Sequence, residues 1–181
     1  MRIRGDRLKQ LIEDGASQRE DLVAALVREG YSPARADSAV RNWMMGRDHP
    51  RCKARDIAVL AQTLRCDVAD IAKFTSQVMY HRGSPRKAGL VVDLVRGKPV
   101  AEAMNLLSFT PKRAAVNIKK ALTAAIADAE AADADVTELF VSESRVDPAP
   151  HIKRFQPKDR GRAHPILKRQ SHITISVQQR V

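Results

Sequence analysis

Aromatic residues are scarce in this chain: only 4% of its 181 residues are Phe, Trp or Tyr. Proteins that grip single-stranded nucleic acid stack bases on such rings, so the scarcity argues against that mode. Cysteine is equally thin. Cys52 and Cys66 are the only two, too few for a disulfide framework. A zinc site needs four ligands and only His49 lies near Cys52 in sequence, so inert thiols and no metal are expected. No apolar run approaches transmembrane length, which excludes a membrane span. The opening Met1-Arg2-Ile3-Arg4-Gly5-Asp6 lacks the apolar core of a signal peptide, so the expected location is cytoplasmic, with no membrane partner. Internal repeats and low-complexity tracts are also missing. The five histidines, His49, His81, His151, His164 and His172, are scattered. No acidic pair, Gly-rich phosphate loop or nucleophile motif accompanies them, so no catalytic residue and no cofactor is expected.

Positive charge is what the chain has. Lys and Arg number 32 against 21 Asp and Glu, a net charge of +11. That balance favours a polyanionic partner, most commonly nucleic acid. The charge is unevenly spread. Residues 1–75 carry 14 basic and 11 acidic side chains, whereas residues 76–181 carry 18 and 10. A backbone-dense, folded RNA suits Lys and Arg better than it suits aromatic rings.

Residues 1–75 form an N-terminal extension in which residues 7–74 read as helical throughout. A short helix covers residues 7–12. A second follows Ser17 as N-cap and ends at Gly30, with Leu22, Ala25 and Leu26 at helical spacing. Ser32-Pro33 opens a third, which runs through Ala36, Val40 and Trp43 to Gly46. Residues 53–64 form a fourth, with Ile57, Leu60, Ala61 and Leu64 on one face, and Asp67 caps a fifth. This is a small all-α N-terminal domain with a Trp43-centred core. A boundary falls near Thr75-Ser76, and a short strand follows over residues 77–82.

Ser84-Pro85 then opens a helix that ends at Gly97 and turns Ala88, Val91, Val92 and Val95 inward. Pro99 begins a short helix. Thr110-Pro111 caps a long one reaching about residue 131, with Ile118, Leu122, Ala125, Ile126 and Ala129 as its stripe. Residues 139–146 and 172–178 are strands. In the second, Ile173, Ile175 and Val177 alternate with His172, Thr174 and Ser176, the half-buried antiparallel pattern.

Two features contradict local stability. The long helix begins with Lys112 and Arg113, carries Lys119 and Lys120, and ends with Asp128 and Glu130. That is backwards for the helix dipole. The helix opened by Pro85 repeats the fault with Arg86 and Lys87. Phosphates neutralising these N-termini in the working state would explain both. The second feature is the segment 147–170, which is too long for an ordinary turn. Between Pro150 and Gln170 it holds Lys153, Arg154, Lys158, Arg160, Arg162, Lys168 and Arg169 against one acid, Asp159. Such a segment cannot bury itself in a protein core. The flanking strands allow it to form an extended β-ribbon, ordered by RNA on both sides.

The run Ser84-Pro85-Arg86-Lys87-Ala88-Gly89-Leu90-Val91-Val92-Asp93-Leu94-Val95-Arg96-Gly97-Lys98 resembles the opening helix of the ribosomal protein uL22 family. Phe109-Thr110-Pro111-Lys112-Arg113-Ala114-Ala115 resembles the start of that family's long helix. Lys153-Arg154-Phe155-Gln156-Pro157, Gly161-Arg162-Ala163 and Ile166-Leu167-Lys168-Arg169-Gln170-Ser171-His172-Ile173-Thr174 resemble its hairpin and final strand. The resemblance covers residues 76–181, with the motifs in order.

It implies an α+β fold: three helices packed on a small antiparallel sheet, with a long protruding β-hairpin over residues 147–170. It implies a structural constituent of the large ribosomal subunit, ribosome-bound and not an enzyme, whose partner is large-subunit rRNA of the 23S type during early assembly. Arg86, Lys87, Lys98, Lys112, Arg113, Lys119, Lys120, Lys158, Arg160, Arg162, Lys168 and Arg169 are the expected rRNA-binding residues. The resemblance further implies a globular body near the polypeptide exit tunnel. Its hairpin would line the tunnel wall through Ile152, Lys153, Arg154 and Phe155, which match the family's hairpin-tip region. The nascent peptide and a uL4-like neighbour at the constriction are then further partners, and no homo-oligomer is expected. The family does not account for residues 1–75. Trp43-Met44-Met45-Gly46-Arg47, Pro50, Ile57, Leu60-Ala61, Leu64 and Val68 are faintly similar to a phage-repressor-type helix-turn-helix. The alternative function is therefore a DNA-binding regulator using residues 1–75, with Arg35, Arg41, Arg47 and Arg51 as contacts.

Overall fold

The computed structural model describes residues 1–15 and 17–180. The chain divides into two compact units. The first takes residues 1–75, 127–139 and 178–181, and the second takes residues 76–126 and 140–177.

In the first unit, strand β1 (Arg2–Ile3) precedes helices α1 (Gly5–Glu13), α2 (Arg19–Arg28), α3 (Pro33–Met44), α4 (Ala54–Leu64) and the short α5 (Val68–Ile71). The N-cap of α2 is Gln18, one residue later than the sequence suggests. The Gln18 amide donates to Asp21 Oδ2 at 3.0 Å, which closes a capping box, and the Ser17 hydroxyl donates to the same oxygen. Gly30, at φ +98°, turns the chain out of α2. Trp43 is fully buried, as are Leu8, Leu22, Leu26, Val40, Ile57 and Leu60. Its indole N–H donates to the Pro50 carbonyl at 2.7 Å, so the ring's polar edge is satisfied inside the core.

This region is not wholly helical. β1 pairs antiparallel with the start of β2 (Ala72–His81), Arg2 opposite Lys73 and Ile3 opposite Ala72. The expected division at residues 75 and 76 falls inside β2, which begins five residues before the strand read from the sequence. The Arg4 guanidinium donates to the carbonyls of Asp70 at 3.1 Å and Gln179 at 3.0 Å. The Arg180 amide donates to the Glu138 carbonyl at 3.2 Å. These bonds tie residues at both ends of the chain into one unit.

The second unit contains α6 (Pro85–Val95), α7 (Val100–Phe109) and most of α8 (Arg113–Glu130), with most of strands β3 (Leu139–Pro157) and β4 (Ala163–Gln179). The fold is α+β, and its four strands form an antiparallel sheet in the order β1-β2-β4-β3. α8 buries Ala114, Ala115, Ile118, Ala121, Leu122 and Ala125, and the small side chains let its backbone approach its neighbours closely.

The half-solvated pattern expected of the last strand is not what forms. Residues 173–177 of β4 are all buried, including Thr174 and Ser176, so neither face of this stretch is solvated. β4 lies between β2 and β3, and its small hydroxyl-bearing residues find neighbours. Gln77 Nε2 donates to Thr174 Oγ1 at 3.3 Å, and Ser142 Oγ to the Ser176 carbonyl at 3.3 Å.

The strands do not stop at residues 146 and 172. β3 and β4 run on into the charged segment and meet at a turn over Asp159–Gly161. There the Lys158 amide donates to the Arg162 carbonyl at 2.6 Å. Pro148, Pro150 and Pro157 all sit on β3, an edge strand, the place in a sheet where proline is tolerated.

Candidate nucleic-acid interface

Five cations of the first unit are paired with carboxylates. Arg19 and Arg41 both pair with Asp37, Arg55 with Glu29, Lys9 with Glu13 at 3.5 Å and Arg2 with Asp48 at 3.8 Å. The ribbon is different. Among the described residues, Lys153, Lys158, Arg160, Arg162, Lys168 and Arg169 have no carboxylate partner, and Arg154 donates only to the Lys153 carbonyl at 2.8 Å. Residues 153–165 are exposed without a break. The strand conformation therefore holds a row of unneutralised charge in water. Repulsion between these cations lowers the stability of the free arm and adds to its affinity for a polyanion.

The reversed helix charges are equally plain. α6 has no acidic residue in its first turn, where Arg86 and Lys87 stand exposed. α8 likewise has none, and Lys112 and Arg113 are exposed at its start. None of these four cations, nor Lys120, has an ion-pair partner among the described residues. Two other expected RNA-binding residues are engaged within the protein. Lys98 is bonded to Glu102, one helical turn away, and the Lys119 ammonium donates to Ser108 Oγ at 2.9 Å. Beside the α8 terminus, His81 is buried with its Nδ1 at 2.7 Å from Asn117 Nδ2. Burial first, and the Arg113 charge second, hold the His81 imidazole below its ordinary pKa.

Ile152, Lys153, Arg154 and Phe155 do not form the tip, because the turn lies at Asp159–Gly161. Alternation along β3 divides them. Ile152 and Arg154 line a cavity of about 310 Å³ together with Arg82, Gly83, Ser84 and residues 168–170. Lys153 and Phe155 belong to the opposite face, and Phe155 is 72% exposed. Arg82 escapes a reading of the sequence. Its only mark there is to be a basic residue just ahead of Ser84-Pro85.

The arginines of residues 1–75 give a weaker surface. Arg35 lies over the Tyr31 ring at 5.5 Å, and Arg41 is tied to Asp37. Arg47 and Arg51 are exposed and, among the described residues, unpaired. Burial, with Asp56 and Asp48 nearby, pushes the Cys52 thiol far up, and burial does the same for Cys66. Both shifts disfavour the thiolate, the form that reacts. Among the described residues no cluster of His, Cys, Asp or Glu is arranged to hold a metal ion, and no helix is long and apolar enough to cross a membrane.

Comparison with known proteins meets this geometry from the other side. Residues 76–178 match the family model of ribosomal protein L22p/L17e. Over 107 residues, 59% of this chain and 91% of the relative, the sequence is 50% identical to the large ribosomal subunit protein uL22 of Ligilactobacillus salivarius (strain UCC118). The match to the family model opens at Ser76, so residues 1–75 lie outside it.

Proposed function

Because the chain belongs to the ribosomal protein L22p/L17e family, and is thus a non-enzymatic structural component of the large ribosomal subunit, we propose that it acts there by clamping folded rRNA between its ribbon and its reversed helix ends. As a ribosomal protein it is ribosome-bound, in association with large-subunit rRNA and neighbouring ribosomal proteins. The observation that carries the clamp is the row of unpaired cations from Lys153 to Arg169, set on a β-ribbon with a single acid at its turn. Arg86, Lys87, Lys112, Arg113 and Lys120 extend this positive surface on the helices. Lys98 and Lys119 contribute less, since each already has an intramolecular partner.

In this reading the ribbon reaches along the polypeptide exit tunnel beside a uL4-like neighbour. Lys153 and Phe155 face the nascent peptide, and Ile152 and Arg154 face the opposite side. The DNA-regulator reading of residues 1–75 is the weaker one, because Arg35 and Arg41 on α3 are held by Tyr31 and Asp37, leaving Arg47 and Arg51 as its exposed candidates.

The test is sucrose-gradient sedimentation of the full chain beside a variant with Lys158→Gln, Arg160→Gln and Arg162→Gln. The native chain is expected in the large-subunit fractions and the variant is expected to shift toward free protein. A variant that stays in those fractions with its rRNA affinity unchanged refutes the clamp.

A further inference from the structure

We propose that the cavity at the base of the ribbon, together with Tyr80, is a binding site for one unpaired RNA nucleotide, with its phosphate in the cavity and its base stacked on the tyrosine. The inference rests on the reading of the chain as an rRNA-binding protein, and it names what one part of that surface takes.

The cavity supplies the anion half. It measures about 310 Å³, and four of its lining residues, Arg82, Arg154, Lys168 and Arg169, are cations without a carboxylate among the lining side chains. A space of that size is at the small end of the range for ligand pockets, enough for a phosphate with its sugar and too small for a duplex. The Ser84 hydroxyl and the Gln170 amide add hydrogen-bonding groups to the wall. Gly83 keeps this wall in place. A Cβ there would stand 2.5 Å from Nε2 of the buried His81, so the chain passes this point only without a side chain.

Tyr80 supplies the aromatic half. It is one of only two tyrosines and is held in a left-handed conformation, φ +53°, that a bulky residue rarely adopts. Its amide donates to Nδ1 of His172 at 3.2 Å, and the two rings meet at 73° with centroids 4.8 Å apart. An edge contact of this kind leaves at least one face of the tyrosine uncovered by the imidazole, and Tyr80 is 53% exposed. Strain held at an exposed aromatic residue points to a use for the ring. Tyr80 stands two residues before Arg82, and His172 two residues beyond Gln170 on the same face of β4. The ring is thus offset from the cavity rim by roughly 7 Å of strand. A base flipped from a helix would meet Tyr80 while its phosphate meets Arg82 and Lys168. A paired base cannot do this, because its faces are already stacked.

The experiment uses the full chain and two RNA duplexes of equal length, one perfect and one carrying a single bulged 2-aminopurine. The native chain is expected to bind the bulged RNA about 5- to 150-fold more tightly and to change the 2-aminopurine fluorescence on binding. Tyr80→Asn, which tolerates the left-handed backbone, is expected to remove that preference, a loss of about 5- to 150-fold for one stacked base. It should leave the salt dependence unchanged, since the ring carries no charge. Tyr80→Phe is expected to keep the preference, and Arg82→Gln with Lys168→Gln to make the salt dependence shallower. Equal affinity of the native chain for both RNAs, or a Tyr80→Asn variant that retains the preference, overturns the site while leaving rRNA binding standing. Binding to neither RNA overturns both.

Discussion

Replacing Lys112 and Arg113 with glutamine removes two positive charges from the start of α8, where no acidic side chain offsets them. A cation near a helix N-terminus costs about 0.3–1 kcal/mol, less when water screens it. Both residues are exposed, so the two together should cost on the order of 1 kcal/mol. For a chain of this size that corresponds to a rise in Tm of roughly 2–4 °C for the free double variant. Binding should move the other way. Each phosphate left without its cation makes the dependence of log affinity on log salt shallower by about 0.7–0.9, so the pair should flatten it by about 1.5. Thermal melting of the free protein and rRNA-fragment titrations at low and at near-physiological salt read the two effects separately. Loss of stability with an unchanged salt dependence would falsify the account, because the charges would then be serving the fold and not the RNA.

Other expectations rest on single interactions. The His81 imidazole is held below its ordinary pKa, so as pH falls the unfolded chain takes up this proton before the folded one does. His81 should therefore contribute stability fully above about pH 6.5 and lose it as pH drops toward its lowered pKa; urea melts on either side of that value should show a smaller difference for His81→Gln than for the native chain. Gly5→Ala places a Cβ 2.1 Å from the Trp43 carbonyl oxygen and 2.8 Å from the Gly46 nitrogen. It should destabilise by about 1–3 kcal/mol or more in a denaturant titration, and a neutral result would mean that α1 is not held against the end of α3. Arg4→Met removes donors to the Asp70 and Gln179 carbonyls. A loss of about 2 kcal/mol is expected, together with faster amide exchange near residues 70 and 179.

Helix boundaries were legible because they are written in local chemistry. Ser32-Pro33 and Ser84-Pro85 start helices where the sequence places them, and Gly30 and Gly97, both at positive φ, mark where α2 and α6 give way to turns. The ribbon was legible as a β-hairpin from its charge and its flanking strands, but its prolines and Lys and Arg residues suppress the periodicity that would have given the bounds of β3 and β4 within it. β1 has two residues and no periodicity to detect. The start of β2 was hidden because Ala69, Ile71, Ala72 and Phe74 read as a continuing apolar helix face. Thr174 and Ser176 were read as solvent-facing because alternation cannot tell a central strand from an edge strand. The cavity was invisible for a different reason. It joins residues 82–84 to residues 152–170, and Tyr80 carries no sequence mark of its left-handed backbone.

The hydrogen bond from Arg4 to Gln179 also sets a clock. Its partners are separated by 175 positions, and at about 5–20 residues per second the ribosome takes roughly 10–35 s to pass from one to the other. Through that interval the Arg4 guanidinium lacks its last acceptor, and helices α1 to α5 wait without the end of β4. The native form of this unit is thus completed only after residue 179 has been made. A truncated nascent chain that stops short of Gln179 should leave that first segment open to proteolysis that the finished protein resists.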